Sequence, residues 1–419
     1  MIDSWQYEIL NGQSYGAKFI LGKIAGVQNY KNKEDKLEGL EILDDYTLQI
    51  SLNEADYDFL YKLTHINTSV FSAKSFSNEN PKNLIGTGPF KLIDQTNEKI
   101  TLELNNNYFQ GAPSVDRIEY TTITNPAAEY QKFLAGEIDY YHQSITKDGK
   151  KYENIINSDF PDIYYIAINC QYAPFNNEKI RQALNYAVNR ENFTKFFNSV
   201  SISNTILPSN IQQSDSSKIV FPYIFNPQEA RKILDENGYS STYLGQEFTL
   251  VYPDSDPSFK SIAEKVQENL IDIGINLRLE SKNAKELAVI YESSAQPAFL
   301  LTSFQYIPFP GSELYFLKSA FSTQNKGNYG NYGLFSSSIV DALLSSYNEI
   351  TEKEKKTGAY IEIENTLLRE APWIFMMSRN KKIIRQNYLS GISIGQYGIN
   401  LRKTFLINSG EPSPAEEKN

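Results

Sequence analysis

Residues 174–190 read PFNNEKIRQALNYAVNR, and the fold is decided around them. Asn176 and Asn177 can accept hydrogen bonds from the free amides of a helix start, and Glu178 suits the positive end of its dipole. Ile180, Ala183, Leu184, Ala187 and Val188 recur at helical spacing and form one apolar stripe. Directly upstream, Ile163 to Asn169 (IYYIAIN) is apolar and β-prone enough for a buried strand. Downstream, Asn189 is placed to cap a second helix running through Glu191, Asn192 and Phe193. The local order is strand, loop, helix, helix.

A chain of 419 residues exceeds one ordinary core, so two or three domains are expected. With 41% hydrophobic and 21% charged residues the composition is globular, and no run of 18 apolar residues offers a membrane helix. A net charge of -10 and a pI near 5.0 argue against nucleic acid or an anionic membrane as partner. Cys170 is the single cysteine, which excludes an intramolecular disulfide and a cysteine-cluster zinc site. His65 and His142 are the only histidines, and nothing in the sequence joins them into a metal site or a Ser-His-Asp triad. No cofactor or metal is expected. Many acidic pairs could serve a hydrolase, but no motif singles one out, and solvated surface charge explains them. Aromatic residues make up 13% of the chain; a bias toward Ile, Lys, Asn and Tyr explains this, and so does a tyrosine-rich cleft wall.

Taken in order, the chain begins with a helix and then a hairpin, Leu40 to Leu52, turning at Asp44-Asp45. Gly86-Thr87-Gly88-Pro89 is a loop from which a strand leaves through Phe90 and Leu92. Gly136 supplies a positive φ after a short helix in QKFLAGEID. Asn226-Pro227-Gln228-Glu229 is a helix start in which Glu229 reaches back, and Gly238 closes that helix. Asp256-Pro257 opens another, which ends at Gly274, and Ile275, Leu277 and Leu279 then alternate as a strand. Phe299 to Phe304 is an apolar strand, Tyr306 to Gly311 a loop, and the last helical region ends near Glu370. Interleaved helices and strands argue an α/β lobe with a partly parallel sheet. From Ser409 onward the Pro/Glu/Lys-rich tail is expected to be disordered.

Ile168-Asn169, Ala173-Pro174-Phe175-Asn176, Ile180-Arg181-Gln182-Ala183-Leu184 and Asn189-Arg190-Glu191 together resemble the signature of the oligopeptide/dipeptide-type solute-binding proteins of ABC importers. That family writes the segment N-x-x-x-P-F-D-D-x-R-V-R-Q-A-L-x-x-A-I-D-R-E; here Asn stands for Asp at 176, 177 and 189. The hairpin, the G-T-G-P loop, the Asn105–Phe109 and Asp116–Ile118 pieces, the LAGEID turn and Ala371-Pro372-Trp373-Ile374 follow the family order. The resemblance implies a two-lobed, periplasmic-binding-protein-like α/β fold of type II with an extra small domain. Against the family pattern the chain would be N-terminally incomplete, without the signal peptide, the often lipid-modified cysteine and the first lobe's N-terminal strand that relatives carry, and as it stands it is expected to bind ligand weakly or not at all. Residues 1–72 would be a remnant of the small domain, 73–161 with 381–419 the first lobe, and 162–380 the second, with hinges near 161–165 and 380–390.

The implied function is capture of peptides by hinged lobe closure and delivery to the permease and ATPase subunits of an importer, outside the cytoplasm. A sensor or adhesin on the same fold is an alternative, as is an oligosaccharide ligand. Peptide-binding relatives carry W-x-x-D-Y after the apolar strand, where the Asp holds the ligand's amino group; here Phe304 and Ile307 stand in the Trp and Asp positions. Basic residues that some relatives place on the preceding strand are also missing from Phe299 to Ser303. An unpartnered charge in a closed cleft is costly. The ligand is therefore expected to be held by backbone, amide and aromatic groups: Tyr164, Tyr165, Asn169, Phe304, Gln305 and Tyr306. Strand alternation puts Tyr164 and Tyr165 on opposite faces, so one of them is expected in the core.

Overall fold

The computed structural model describes residues 1–11, 19–54, 56, 59–72, 75, 85–123, 125–142, 154–202, 204–207, 216–243, 245–291, 293, 295–305, 312–327, 330–395 and 398–406. The loop expected at 306–311 and the tail from 409 lie outside these. The chain divides into two compact units: residues 1–143, 150–159 and 382–419 form the first, and residues 144–149 and 160–381 the second. The chain passes from one to the other inside two long strands, Ile155–Ile168 and Trp373–Arg385.

In the first unit, the helix Ile2–Asn11 buries Trp5 against Ile20, Leu21, Ile24, Tyr30 and Phe59. The Trp5 indole N–H donates to the Thr68 carbonyl at 2.9 Å, so its polar edge is satisfied inside that core. The expected hairpin is present, Leu40–Asp44 against Thr47–Ile50, and the Tyr46 amide donates to the Asp44 carboxylate at 2.8 Å within its turn. Three antiparallel strands follow: Phe90–Gln95, Lys99–Leu104 and Arg117–Thr121. Asn125 caps the helix Pro126–Leu134, and Gly136 just beyond it has φ 73°. A further core joins Ile118 to Ile383, Leu389, Ile392 and Leu401, from the far end of the sequence.

The second unit is built on a mixed sheet. Asn276–Lys282 runs parallel to Glu247–Pro253, which runs parallel to Phe299–Gln305. Phe299–Gln305 pairs antiparallel with the strand carrying IYYIAI, from Phe299 opposite Ile168 to Gln305 opposite Asp162. Trp373–Arg385 comes next in the sheet, with the short strand Val200–Ile202 along it. Alternation sends Tyr164, Ile166 and Ile168 into one core with the helices Glu178–Ala187 and Pro257–Ile271. Ile163, Tyr165 and Ala167 enter a second core with Trp373 and the helices Ser312–Phe321, Ser338–Glu349 and Lys353–Glu370. A sheet covered on both faces has no wet side, and this is why the strand reads as continuous apolar sequence.

Local signals hold where the interaction is local. Asn177 accepts from the Lys179 amide at 2.9 Å, Asn226 from that of Glu229 at 3.0 Å, and Asp256 from that of Ser258 at 2.8 Å. Two readings are corrected. Glu229 does not close a capping box, because the Asn226 amide donates to the Tyr186 carbonyl at 2.8 Å in the neighbouring helix region. Asn189 caps nothing: the helix Glu191–Phe196 starts from Arg190, without a side-chain cap.

Candidate functional site

The signature residues of 174–190 turn out to bind backbone. Arg181 donates to the carbonyls of Phe175 at 2.9 Å and Glu370 at 2.6 Å, and its Nε reaches Ala371 at 3.2 Å. Ala371 has φ 49°, a left-handed conformation costly for a residue with a Cβ, and the guanidinium steadies it. Asn185 donates to Trp373 O at 2.8 Å and accepts the Phe375 amide at 3.2 Å, pinning the helix to the start of Trp373–Arg385.

Arg190 is buried without a carboxylate. Its donors go to the carbonyls of Phe375, Asn185 and Val188 and to Asn185 Oδ1, and its flat face lies 5.2 Å from the Phe221 ring centroid. Burial lowers its pKa to about 9. The cation is spent on the protein's own carbonyls.

Next to Arg190 the second unit holds a cavity of about 950 Å³, lined by residues from four segments: 188–191, 201, 202, 204 and 205, alternate positions from 217 to 223 with 224 and 225, and 378 with 380. Its apolar wall includes Ile202, Ile219 and Phe221. Asn189, Ser378 and Asn380 are half-buried in its lining, and their side chains form no hydrogen bond among the described residues. Among the described residues, Glu191 is the one carboxylate in the lining, and it is exposed.

One wall of the cavity, Asn204 and Thr205, runs into a loop anchored from below. Glu364 of the helix Lys353–Glu370 is fully buried, and its carboxylate accepts the Ile206 amide. Burial pushes Glu364 up to about 7; the Tyr360 hydroxyl and the amides of Ile206 and Leu207 oppose this only in part. No cation among the described residues is near enough to reverse it.

A charged group marks the two chain passages. Asp162 pairs with Lys381 at 3.1 Å; its carboxyl is raised by burial and pulled back by Lys381 and Arg379. Burial pushes Tyr164 up to about 12, with Arg379 opposing.

The residues singled out from the sequence are placed as follows. Tyr164 packs on Phe259, centroids 5.7 Å apart, and Tyr165 stacks on Trp373; each is in one of the two cores, so both tyrosines are interior, not one. Asn169 donates to Gln296 O and accepts the Gln171 amide, both at 3.0 Å. Phe304 is half-buried and stacks on Phe316 at 4.4 Å. Gln305 ends the strand opposite Asp162, and Tyr306 lies outside the described residues. The cavity side chains Asn189, Ser378 and Asn380 were not among them. The signal for the last two was a polar run, Ser378-Arg379-Asn380, ending an apolar strand. Among the described residues no cluster of His, Cys, Asp or Glu could hold a metal, and no helix is long and apolar enough to cross a membrane.

A sequence model described as bacterial extracellular solute-binding proteins, family 5 Middle, matches residues 2–328. Heme-binding protein A of Haemophilus influenzae is 28% identical over 357 residues, covering 81% of this chain and 64% of that protein. Glutathione-binding protein GsiB of Salmonella paratyphi A is 26% identical, covering 82% and 68%. The chain thus spans about two thirds of the length of these relatives. The periplasmic binding protein DppA of Helicobacter pylori, solved with the peptide STSA, superposes with a TM-score of 0.78 at 19% identity, over 97% of this chain and 81% of that one.

Proposed function

Because the chain belongs to the bacterial extracellular solute-binding proteins of family 5, we propose that it captures a small solute outside the cytoplasm and passes it to the permease and ATPase subunits of an ABC importer. The observation that carries this reading is the 950 Å³ cavity, in whose lining the uncharged hydrogen-bonding side chains of Asn189, Ser378 and Asn380 are uncommitted among the described residues. A cavity of this size suits a small ligand. Binding without turnover is the reading favoured, since the family is one of solute-binding proteins.

Peptides are the solute class proposed first. The relatives named above are a heme-binding, a glutathione-binding and a peptide-complexed protein, so membership alone does not fix the ligand. The segment Phe304 to Tyr306 is retained as a second ligand-facing stretch, and the two passages of chain between the units are assigned as hinges.

Native mass spectrometry of the protein purified from its own cells should reveal a bound small molecule, and deleting the gene should abolish uptake of that molecule. X-ray scattering should show a smaller radius of gyration on saturation. Unchanged uptake in the deletion strain would refute the transport role.

A further inference from the structure

We propose that the cavity beside Arg190 receives an uncharged, hydrogen-bonding part of the solute, a run of amide or hydroxyl groups, and discriminates against ionised ends. This rests on the solute-capture reading and specifies its ligand chemistry.

Asn189, Ser378 and Asn380 converge from two separate segments, and their side chains are uncommitted among the described residues. Each amide carries both donor and acceptor capacity and the hydroxyl can act either way, so the set matches amide or hydroxyl groups of a ligand. A half-buried amide that lacks a protein partner gains when a ligand supplies one.

The lining withholds charge. Arg190 is the cation of the cavity wall, yet its guanidinium is engaged by four oxygens and covered by Phe221. It has little left for a ligand carboxylate. Glu191 is exposed, and a solvated carboxylate gains little from a ligand amine. An ionised ligand end entering the cavity would lose its hydration with no free buried counter-charge among the described lining residues to replace it.

The test uses titration calorimetry on the chain with three probes: N-acetyl-trialanine amide, unblocked trialanine and maltotriose. The expected result is that the blocked peptide or the sugar binds at least tenfold tighter than the zwitterion, and which of the two binds tells amide from hydroxyl recognition. The double variant Asn189→Ala/Asn380→Ala should weaken that binding at least tenfold at unchanged melting temperature. If it melts early, Ser378→Ala replaces it, with a loss of threefold or more expected.

Tighter binding of the zwitterion would overturn the proposal while leaving solute capture intact. Binding of an uncharged probe that ignores both sets of variants would overturn it as well, by placing the ligand elsewhere. Failure of all three probes also overturns it; solute capture is then decided separately, by whether native mass spectrometry finds a co-purified molecule.

Discussion

The backbone amide of Ile206 donates to the carboxylate of Glu364, a residue 158 positions further along the chain. A buried acid pushed up to about 7 favours its protonated form in the folded state, whereas the unfolded chain releases that proton near the ordinary value of 4.5. The stability it contributes is therefore complete below the unfolded value and is lost as pH rises through 7. Between pH 4 and pH 8 the second unit should lose roughly 3 kcal/mol from this group. Glu364→Gln should flatten that dependence in urea titrations and be the more stable form at pH 8. Equal slopes in the two proteins would refute the assignment.

Arg190 should be a stability residue above all. Arg190→Met removes the donors to Phe375, Asn185 and Val188 and leaves those buried carbonyls unpaired. A cost of roughly 3 kcal/mol is expected in denaturant unfolding. Arg190→Lys should not restore it, because an ammonium cannot span carbonyls that a planar fork reaches together.

The contrast between these residues and the helix caps explains what sequence could and could not convey. Asn177, Asn226 and Asp256 each satisfy an amide two or three residues away, so residue type and position suffice to read them. Arg181 and Arg190 belong to a recognisable signature, but what they bind lies up to 190 residues downstream and consists of carbonyls, which every residue possesses. The cavity is harder still, because four separate segments build it and its polar members are common surface types. Tyr164 and Tyr165 drew attention as aromatics beside a motif; that both are interior follows from a sheet covered on both faces, which one strand does not disclose.

Trp373 lies on Tyr165 with centroids 3.7 Å apart and planes 22° apart, and Phe321 packs against it at 4.5 Å. Trp373→Ala should lower stability by about 3–5 kcal/mol through lost burial and the cavity it leaves. Trp373→Phe should recover much of that loss. Unfolding monitored by circular dichroism distinguishes the two.

Gly333 is fixed by space: a Cβ there would stand 2.6 Å from the Ile168 carbonyl oxygen, and its own carbonyl accepts the Cys170 amide at 2.7 Å. Neither neighbour is a flexible side chain end. Gly333→Ala should therefore cost about 1–3 kcal/mol, the range for overpacking, in the same unfolding assay.

The order in which the units draw on the sequence has a consequence for synthesis. Ile118 shares its core with Ile383, Leu389, Ile392 and Leu401, which the ribosome adds only after the whole of 160–381. At about 5–20 residues per second, Ile118 waits on the order of 10–50 seconds for its packing partners. The second unit can form first, whereas the strand around Ile118 stays without the cover of Ile383, Leu389, Ile392 and Leu401 until those residues emerge. A chain stalled before residue 382 should therefore carry a finished second unit and an open first unit, and it is on the first unit that a chaperone would find its footing.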